Sequence, residues 1–336
     1  MKKGIAVLLL IVLLTACKAV PRTPVEKELF AMDTYMKMTA YGKGAKEALD
    51  KAASEIRRLD SLWSVGQENS EVSRINAART GTVSPETAEL LEMALTLHQE
   101  TEGALDITIY PVMELWGFTG ENRKVPSEEE LKKTLALVDA GQIRFDGETI
   151  TLGVGQGIDF GAIAKGYTSS YIMKVLKEQG VTGAILSLGG NVQCMGTKPD
   201  GSKWHIGIQR PDGGDGYLGV LTLTDKAVIT SGGYERYFEE NGTIYHHIID
   251  PETGYPADSG LTSVTIVSAD GALADALSTA CFILGKEKAE AYWKAHADQF
   301  DMILYTEEGE LLITEGLADI FESDLPVVVV KEDKNG

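Results

Sequence analysis

Two histidines stand side by side at His246-His247, between a hydrophobic run and the turn Asp250-Pro251-Glu252-Thr253-Gly254. Histidine titrates near neutrality and serves as base, acid or metal ligand. The pair therefore poses a choice between a metal site, a catalytic base and two ordinary strand residues. The segment 234–249 reads as a hairpin turning around Glu239-Glu240-Asn241-Gly242, and adjacent strand side chains point to opposite faces. One metal ion does not readily take both rings, and at most one ring faces a given pocket.

Three other stretches interrupt apolar elements with glycines and polar groups. In Ala269–Ala280, Asp275 and Thr279 are four apart on an expected helix and share a side. A carboxylate and a hydroxyl so placed are two hard oxygen ligands of the type Mg²⁺ takes beside substrate phosphates. Taken alone, the pair reads more simply as a threonine bonded back within its helix and a solvated aspartate. In Ile158–Tyr167, Asp159 ends a strand and runs through Gly161 into a helix start, a geometry suited to an anionic ligand. Lys165 is poorly placed there for the helix dipole, which hints at a phosphate partner; a βα turn with a solvated lysine is the plainer reading. Gly189-Gly190, after Ser187-Leu188, lets backbone approach a ligand or simply makes a turn.

The elements that must position these groups alternate between strand and helix. A strand is expected over Glu28–Tyr41 and an amphipathic helix over Ala45–Leu59, with Leu49, Ala52, Ile56 and Leu59 on one stripe. Ser84-Pro85 opens a helix to about Thr101, and Ser127 to Glu130 is a capping box before Leu131–Val138. A hairpin turns at Asp146-Gly147, and a helix runs from about Ala162 to Gln179. Strands follow at 183–188, 204–210, 217–223, 226–231 and 262–268, then helices over 270–284 and 286–297, and short closing strands ending at 327–330. No internal repeat or long linker interrupts this run. It describes one α+β domain.

Composition narrows the partners. A net charge of −19 excludes a nucleic-acid backbone as the natural ligand. The N-terminus has Lys2-Lys3 before the apolar run Gly4–Leu14 and reads as a signal peptide over 1–16. Leu14-Thr15-Ala16-Cys17 resembles the bacterial lipobox, which implies lipid on Cys17, a tether over 17–27 and a folded domain over 28–336. The resulting expectation is a membrane-anchored lipoprotein facing the periplasm or extracytoplasmic side. Cys194 and Cys281, without metal-binding spacing, read as buried free thiols.

In their order along the chain, the motifs resemble the ApbE family of FAD:protein FMN transferases over roughly residues 28 to 320. The landmarks are Met32-Asp33-Thr34, Ser70–Asn76, Gly103–Asp106 with Trp116-Gly117-Phe118, Asp159–Gly166, Gly189-Gly190-Asn191, His247–Pro251 with Thr253-Gly254, and Asp275–Thr279. Met32-Asp33-Thr34 departs from the commoner Met-Gly-Thr. The resemblance implies an ApbE-like α+β fold with mixed and antiparallel sheets and flanking helices in two intimately packed lobes. It also implies Mg²⁺-dependent transfer of the FMN half of FAD to a threonine hydroxyl of an acceptor protein, with release of AMP. The implied metal ligands are Asp275, Thr279 and the Ala162 carbonyl. The implied FAD contacts are Met32, Trp63, Ala104, Leu105, Asp106, Asp159, Lys165 and Ile249, and His247 is the implied base. The implied acceptors carry a Ser/Thr flavinylation motif and belong to redox pumps or extracytoplasmic electron-transfer systems. Two alternatives share these residues: an FAD pyrophosphatase using water, and a lipoprotein that binds FAD without chemistry.

Overall fold

The computed structural model describes residues 23–120, 122–211, 213–214 and 216–332. The signal segment, Cys17 and the first part of the tether lie outside them. Folded structure begins three residues ahead of the expected boundary, because β1 (Val25–Ala31) pairs with β2 (Thr34–Tyr41) from Val25 opposite Ala40. The single strand expected over Glu28–Tyr41 is thus a hairpin. Its two-residue turn, Met32-Asp33, has φ of 48° and 55°, the left-handed pair that this turn type requires. Aspartate tolerates that conformation, so replacing the commoner glycine keeps the turn. On β2, Met36, Met38 and Ala40 are buried at alternate positions, as a half-buried strand demands.

Then α1 (Ala45–Trp63) buries the stripe Ala45, Leu49, Ala52, Ile56, Leu59 and Trp63. Next come α2 (Glu71–Ala78), β3 (Thr80–Thr82), α3 (Pro85–Glu100), α4 (Tyr110–Trp116), α5 (Glu128–Leu135), β4 (Arg144–Phe145) and β5 (Thr149–Thr151). The short α2 and α4 were not anticipated, since eight or fewer residues show too little periodicity. Ser70 nevertheless caps α2 by accepting from the Ser73 N–H. The chain continues through α6 (Ala164–Glu178), β6 (Gly183–Leu188), β7 (Asn191–Gly196), β8 (Trp204–Gln209), β9 (Tyr217–Leu223) and β10 (Ala227–Gly232). It closes with β11 (Tyr237–Glu240), β12 (Thr243–His246), β13 (Leu261–Ser268), α7 (Gly271–Ala295), β14 (Phe300–Thr306), β15 (Leu311–Thr314), β16 (Phe321–Glu322) and β17 (Val327–Val330). Gly285 breaks α7 with φ 78° and ψ 170°, so the two helices anticipated there are two in conformation.

A nine-stranded sheet in the order β1-β2-β6-β7-β10-β13-β14-β15-β17 organises the molecule. Its pairings are antiparallel except for β15 with β17. Alternation along its strands gives it two cores. Ala227, Ile229, Ile266 and Leu304 face α7 and α3, whereas Val228, Val267 and Ile303 face the three-stranded sheet β16-β9-β8. A sheet covered on both sides and flanked by smaller clusters is the mixed α+β architecture that the sequence implied.

The site depends on how α6 meets α7. A Cβ on Gly166 would collide with the Gly271 carbonyl and the Asp275 Cβ, and one on Gly271 would meet the Gly166 carbonyl at 2.6 Å. Two glycines therefore let the helix N-termini touch backbone to backbone. We expect Gly166→Ala to destabilise the protein by about 1–3 kcal/mol, the usual cost of overpacking. Urea denaturation measures this, and an unchanged midpoint would mean the helices can separate freely.

Candidate active site

Asp275 projects from the first turns of α7 into the start of α6. Its Oδ2 accepts from the Gly166 N–H at 2.7 Å, and its Oδ1 from Asn191 Nδ2 at 2.8 Å. The Lys165 N–H also donates to it. Asp275 thus acts as an N-cap supplied from another helix, filling donors that the α6 terminus leaves open. This accounts for α6 beginning at Ala164 rather than Ala162. Gly166 gives its N–H to Asp275, so the Ala162 carbonyl loses the partner a continuous helix would provide. It also corrects the reading of this terminus as an anion cradle, because a protein carboxylate already occupies it. The solvated aspartate considered from the sequence is in fact buried.

Thr279 lies one turn further along α7. Its hydroxyl is 3.3 Å from the hydroxyl of Ser231, at the end of β10, and Ser278, not Thr279, bonds back to the Asp275 carbonyl. The donor set can be tested against a hard cation. A carboxylate has about four acceptor sites, and the three donors to Asp275 leave about one. The Thr279 hydroxyl and the freed Ala162 carbonyl add neutral oxygens. Burial pushes the Asp275 carboxyl above its usual range despite Lys165 and three hydrogen bonds, so a cation would relieve an undercompensated charge. The residues fit Mg²⁺. Among the described residues no group of three His, Cys, Asp or Glu side chains could hold a metal, so further ligands would be water or substrate oxygens.

Gly189 and Gly190 form the two-residue turn between β6 and β7, with φ of 63° and 96°. The Gly189 N–H is taken by the Tyr35 carbonyl, so the pair is a turn whose effect is to aim Asn191 at Asp275. The sequence had shown Asn191 only as part of a motif. Asp159 holds the other side. Its N–H pairs with the Ile107 carbonyl, its Oδ1 accepts from Gly161 at 2.8 Å, and Asn76 clamps Ile158 through both amide atoms. Burial raises the Asp159 carboxyl, while Arg236 and Lys165 pull it down.

His246 and His247 divide as strand alternation requires. His246 packs edge-on against Phe282 and has Nε2 3.2 Å from the Ala257 carbonyl. His247, just past β12, has Nδ1 3.1 Å from the Arg236 carbonyl, to which its own N–H also donates. Desolvation, then the charges of Arg236 and Lys165, lower its pKa to about 3. The ring is therefore neutral at physiological pH, and the Arg236 carbonyl selects the Nδ1–H tautomer, leaving Nε2 as the basic atom. Glu235, which the sequence reading passed over, is pushed up to about 7 by desolvation and the nearby Asp275, against Lys165. Lys165 thus interacts with Asp159, Glu235, His247 and Asp275. Arg236 also acts on Asp159, Glu235 and His247, so two cations stand among three acids and a neutral imidazole.

The remaining expected flavin contacts are placed less directly. Met32 is half-buried, with its sulfur 3.7 Å from the Thr168 hydroxyl, and Ile249 is buried in the cluster around Trp116. Ala104, Leu105 and Asp106 are buried. The Asp106 carboxylate is spent on the Thr108 N–H and hydroxyl and the Ala140 N–H, so contact from this stretch to a ligand would run through main chain. Trp63 packs in the core. It is buried, its indole donates to Thr87 at 2.9 Å, and its ring sits edge-on to Tyr167. A groove of about 910 Å³ between α3 and α6 contains neither Asp275 nor His247; it is not this site.

The fold gathers a buried carboxylate, a lysine and a neutral imidazole into one cluster. The ApbE family pattern matches residues 32–304, and the chain belongs to the ApbE family. It is 34% identical to the FAD:protein FMN transferase of Klebsiella pneumoniae (strain 342), covering 77% of this chain and 82% of that one. It is 32% identical to that of Vibrio cholerae O395, covering 80% and 82%. Among solved structures, the ApbE protein of Thermotoga maritima superposes with a TM-score of 0.83 at 33% identity, covering 89% of this chain and 99% of that one. The apo flavinyl transferase ApbE of Pseudomonas stutzeri gives 0.80 at 28%, covering 90% and 98%.

The lowered pKa of His247 fixes a pH dependence. Unfolded, the ring takes a proton near 6.5; folded, it does so near 3. The unfolded state binds more protons between these values, so this contribution to stability is complete above about 6.5 and is lost as pH falls toward 3. His247→Ala is expected to flatten the acid limb of stability in that window, measured by urea midpoints between pH 7 and pH 4. An acid limb of unchanged slope would place the neutral ring elsewhere.

Proposed function

We propose that the protein is an FAD:protein FMN transferase in which His247 is the general base. The observation that carries this is a neutral imidazole, oriented by the Arg236 carbonyl, beside the Lys165 and Asp275 cluster. An acceptor hydroxyl oxygen attacks the phosphorus of the FMN half of FAD. The bond from that phosphorus to the bridging oxygen breaks, AMP leaves with that oxygen, and the hydroxyl proton passes to His247. Lys165 adds positive charge against the diphosphate, the main protein contribution to reactions of this type. Mg²⁺ held by Asp275, Thr279 and the Ala162 carbonyl would supply further charge against the same oxygens.

A pKa near 3 makes a weak base, and proton transfer works best with a pKa near the operating pH. Bound FAD would act on one part of that shift. Burial is its largest cause and the charges of Arg236 and Lys165 add to it, and a diphosphate beside those two would offset their charge. The imidazole then gains basicity when substrate is bound. His247→Ala is expected to bind FAD normally and lose about 10²–10⁴ in transfer rate, read as acceptor mass gain and AMP release. Undiminished transfer would end the assignment, and AMP release equally fast without acceptor would favour hydrolysis.

The reading extends to the cell surface. Lipid on Cys17 would hold the enzyme on the extracytoplasmic side of the membrane, near acceptors with a Ser/Thr flavinylation motif in redox pumps or electron-transfer subunits. The basic and apolar N-terminus ending in Leu14-Thr15-Ala16-Cys17 supports it. No helix among the described residues is long and apolar enough to cross a membrane. Cys17→Ser is expected to shift the protein from the membrane to the soluble fraction; retention on membranes would require another anchor.

A further inference from the structure

The hairpin that carries the base has one open edge, and it leads to the base. Asn241 and Gly242 form its turn with φ of 53° and 79°. In a two-residue hairpin the pair beside the turn is hydrogen-bonded, and pairs then alternate. Glu240 with Thr243 and Phe238 with Tyr245 bond inward, so Glu239, Ile244, Tyr237 and His246 direct their main-chain groups outward. On β11 the end of that edge nearest the base is occupied, because Arg123 Nη1 donates to the Tyr237 carbonyl at 2.8 Å. On β12 the Ile244 N–H and carbonyl face outward with no partner among the described residues.

The side chains reinforce the distinction. Phe238 and Tyr245 stack on one face, 5.4 Å apart, against Trp116 and Phe118. On the other face Tyr237 and Ile244 are 47% and 60% exposed. An open strand edge with an apolar flank is a template for an added strand. His247 lies three residues beyond Ile244, about 10 Å at strand rise.

We propose that an extended segment of the acceptor polypeptide pairs with β12 at Ile244 as a third, antiparallel strand. This inference rests on the transferase reading, which requires the acceptor hydroxyl to reach His247 and its chain to pass this edge. Antiparallel pairing puts the modified threonine three residues N-terminal to the acceptor residue opposite Ile244. Alternation then sends the side chain at that position to the His247 face. Main-chain pairing supplies affinity with little demand on sequence, and the Tyr237 and Ile244 side chains favour an apolar neighbour.

The test uses the full chain with FAD, Mg²⁺ and a short synthetic peptide bearing one central threonine among glycine, alanine, serine and valine. Ile244→Pro removes the outward N–H without breaking an internal ladder bond, as edge positions allow. It is expected to raise the peptide KM about tenfold, the loss of ~1.4 kcal/mol, with FAD affinity unchanged. Ile244→Ala keeps the N–H and should raise KM less. A peptide N-methylated three residues after its threonine should show the same loss with unaltered enzyme, which keeps the test valid if the proline variant misfolds. Peptide labelling with a KM indifferent to both backbone changes overturns the inference and leaves the transferase reading standing. AMP release with no peptide mass gain removes both.

Discussion

The capping of α6 by Asp275 is the interaction on which the site depends. A helix start needs acceptors for its first N–H groups, and the protein takes one from a neighbouring helix instead of a local serine or aspartate. That choice fixes the crossing of α6 and α7, requires glycine at 166 and 271, and draws Asn191 in from the sheet as a third donor. It also releases the Ala162 carbonyl. One carboxylate thereby sets helix register, backbone contact and an oxygen cluster suited to a hard cation.

The cost of that arrangement explains its electrostatics. Desolvation outweighs the hydrogen bonds and Lys165, so the Asp275 carboxyl remains raised, and Asp159 and Glu235 are raised for the same leading reason. A folded pKa above the unfolded one means stability that falls as pH rises through the interval between them. These acids thus oppose the stability profile of His247, whose contribution grows with pH. Lys165 and Arg236 are the cations set against Asp159 and Glu235.

Much of this was legible in the sequence because the decisive relations were periodic. Four-residue spacing put Asp275 and Thr279 on one side of a helix, and strand alternation separated His246 from His247. The two-helix reading of 270–297 followed from Gly285. What stayed hidden required knowledge of distant contacts. No local pattern reveals that Asp106 also accepts from the Ala140 N–H, or that the α6 terminus is filled from α7. Trp63 was named only through the resemblance, and its burial, its bond to Thr87 and its contact with Tyr167 are tertiary facts. Glu235 carried no motif of its own; its character comes from Lys165 and Asp275, remote in sequence.

His247 and Asp275 are held by different cores. Asp275 belongs to the packed helices over the large sheet, whereas His247 follows a small separate hairpin seated on Trp116 and Phe118. Trp116 donates to the Gly254 carbonyl at 2.8 Å, tying the turn after His247 to the aromatic seat, and Arg236 donates to the Phe118 carbonyl at 2.9 Å, tying the start of the hairpin to it. Aromatic packing gives such a small unit rigidity that its four-residue strands could not provide alone. Arg236 links the two halves: its side chain anchors the hairpin, its carbonyl orients His247, and its charge reaches Asp159 across the cleft. The position of His247 relative to Asp275 therefore depends on how the aromatic seat meets the main core.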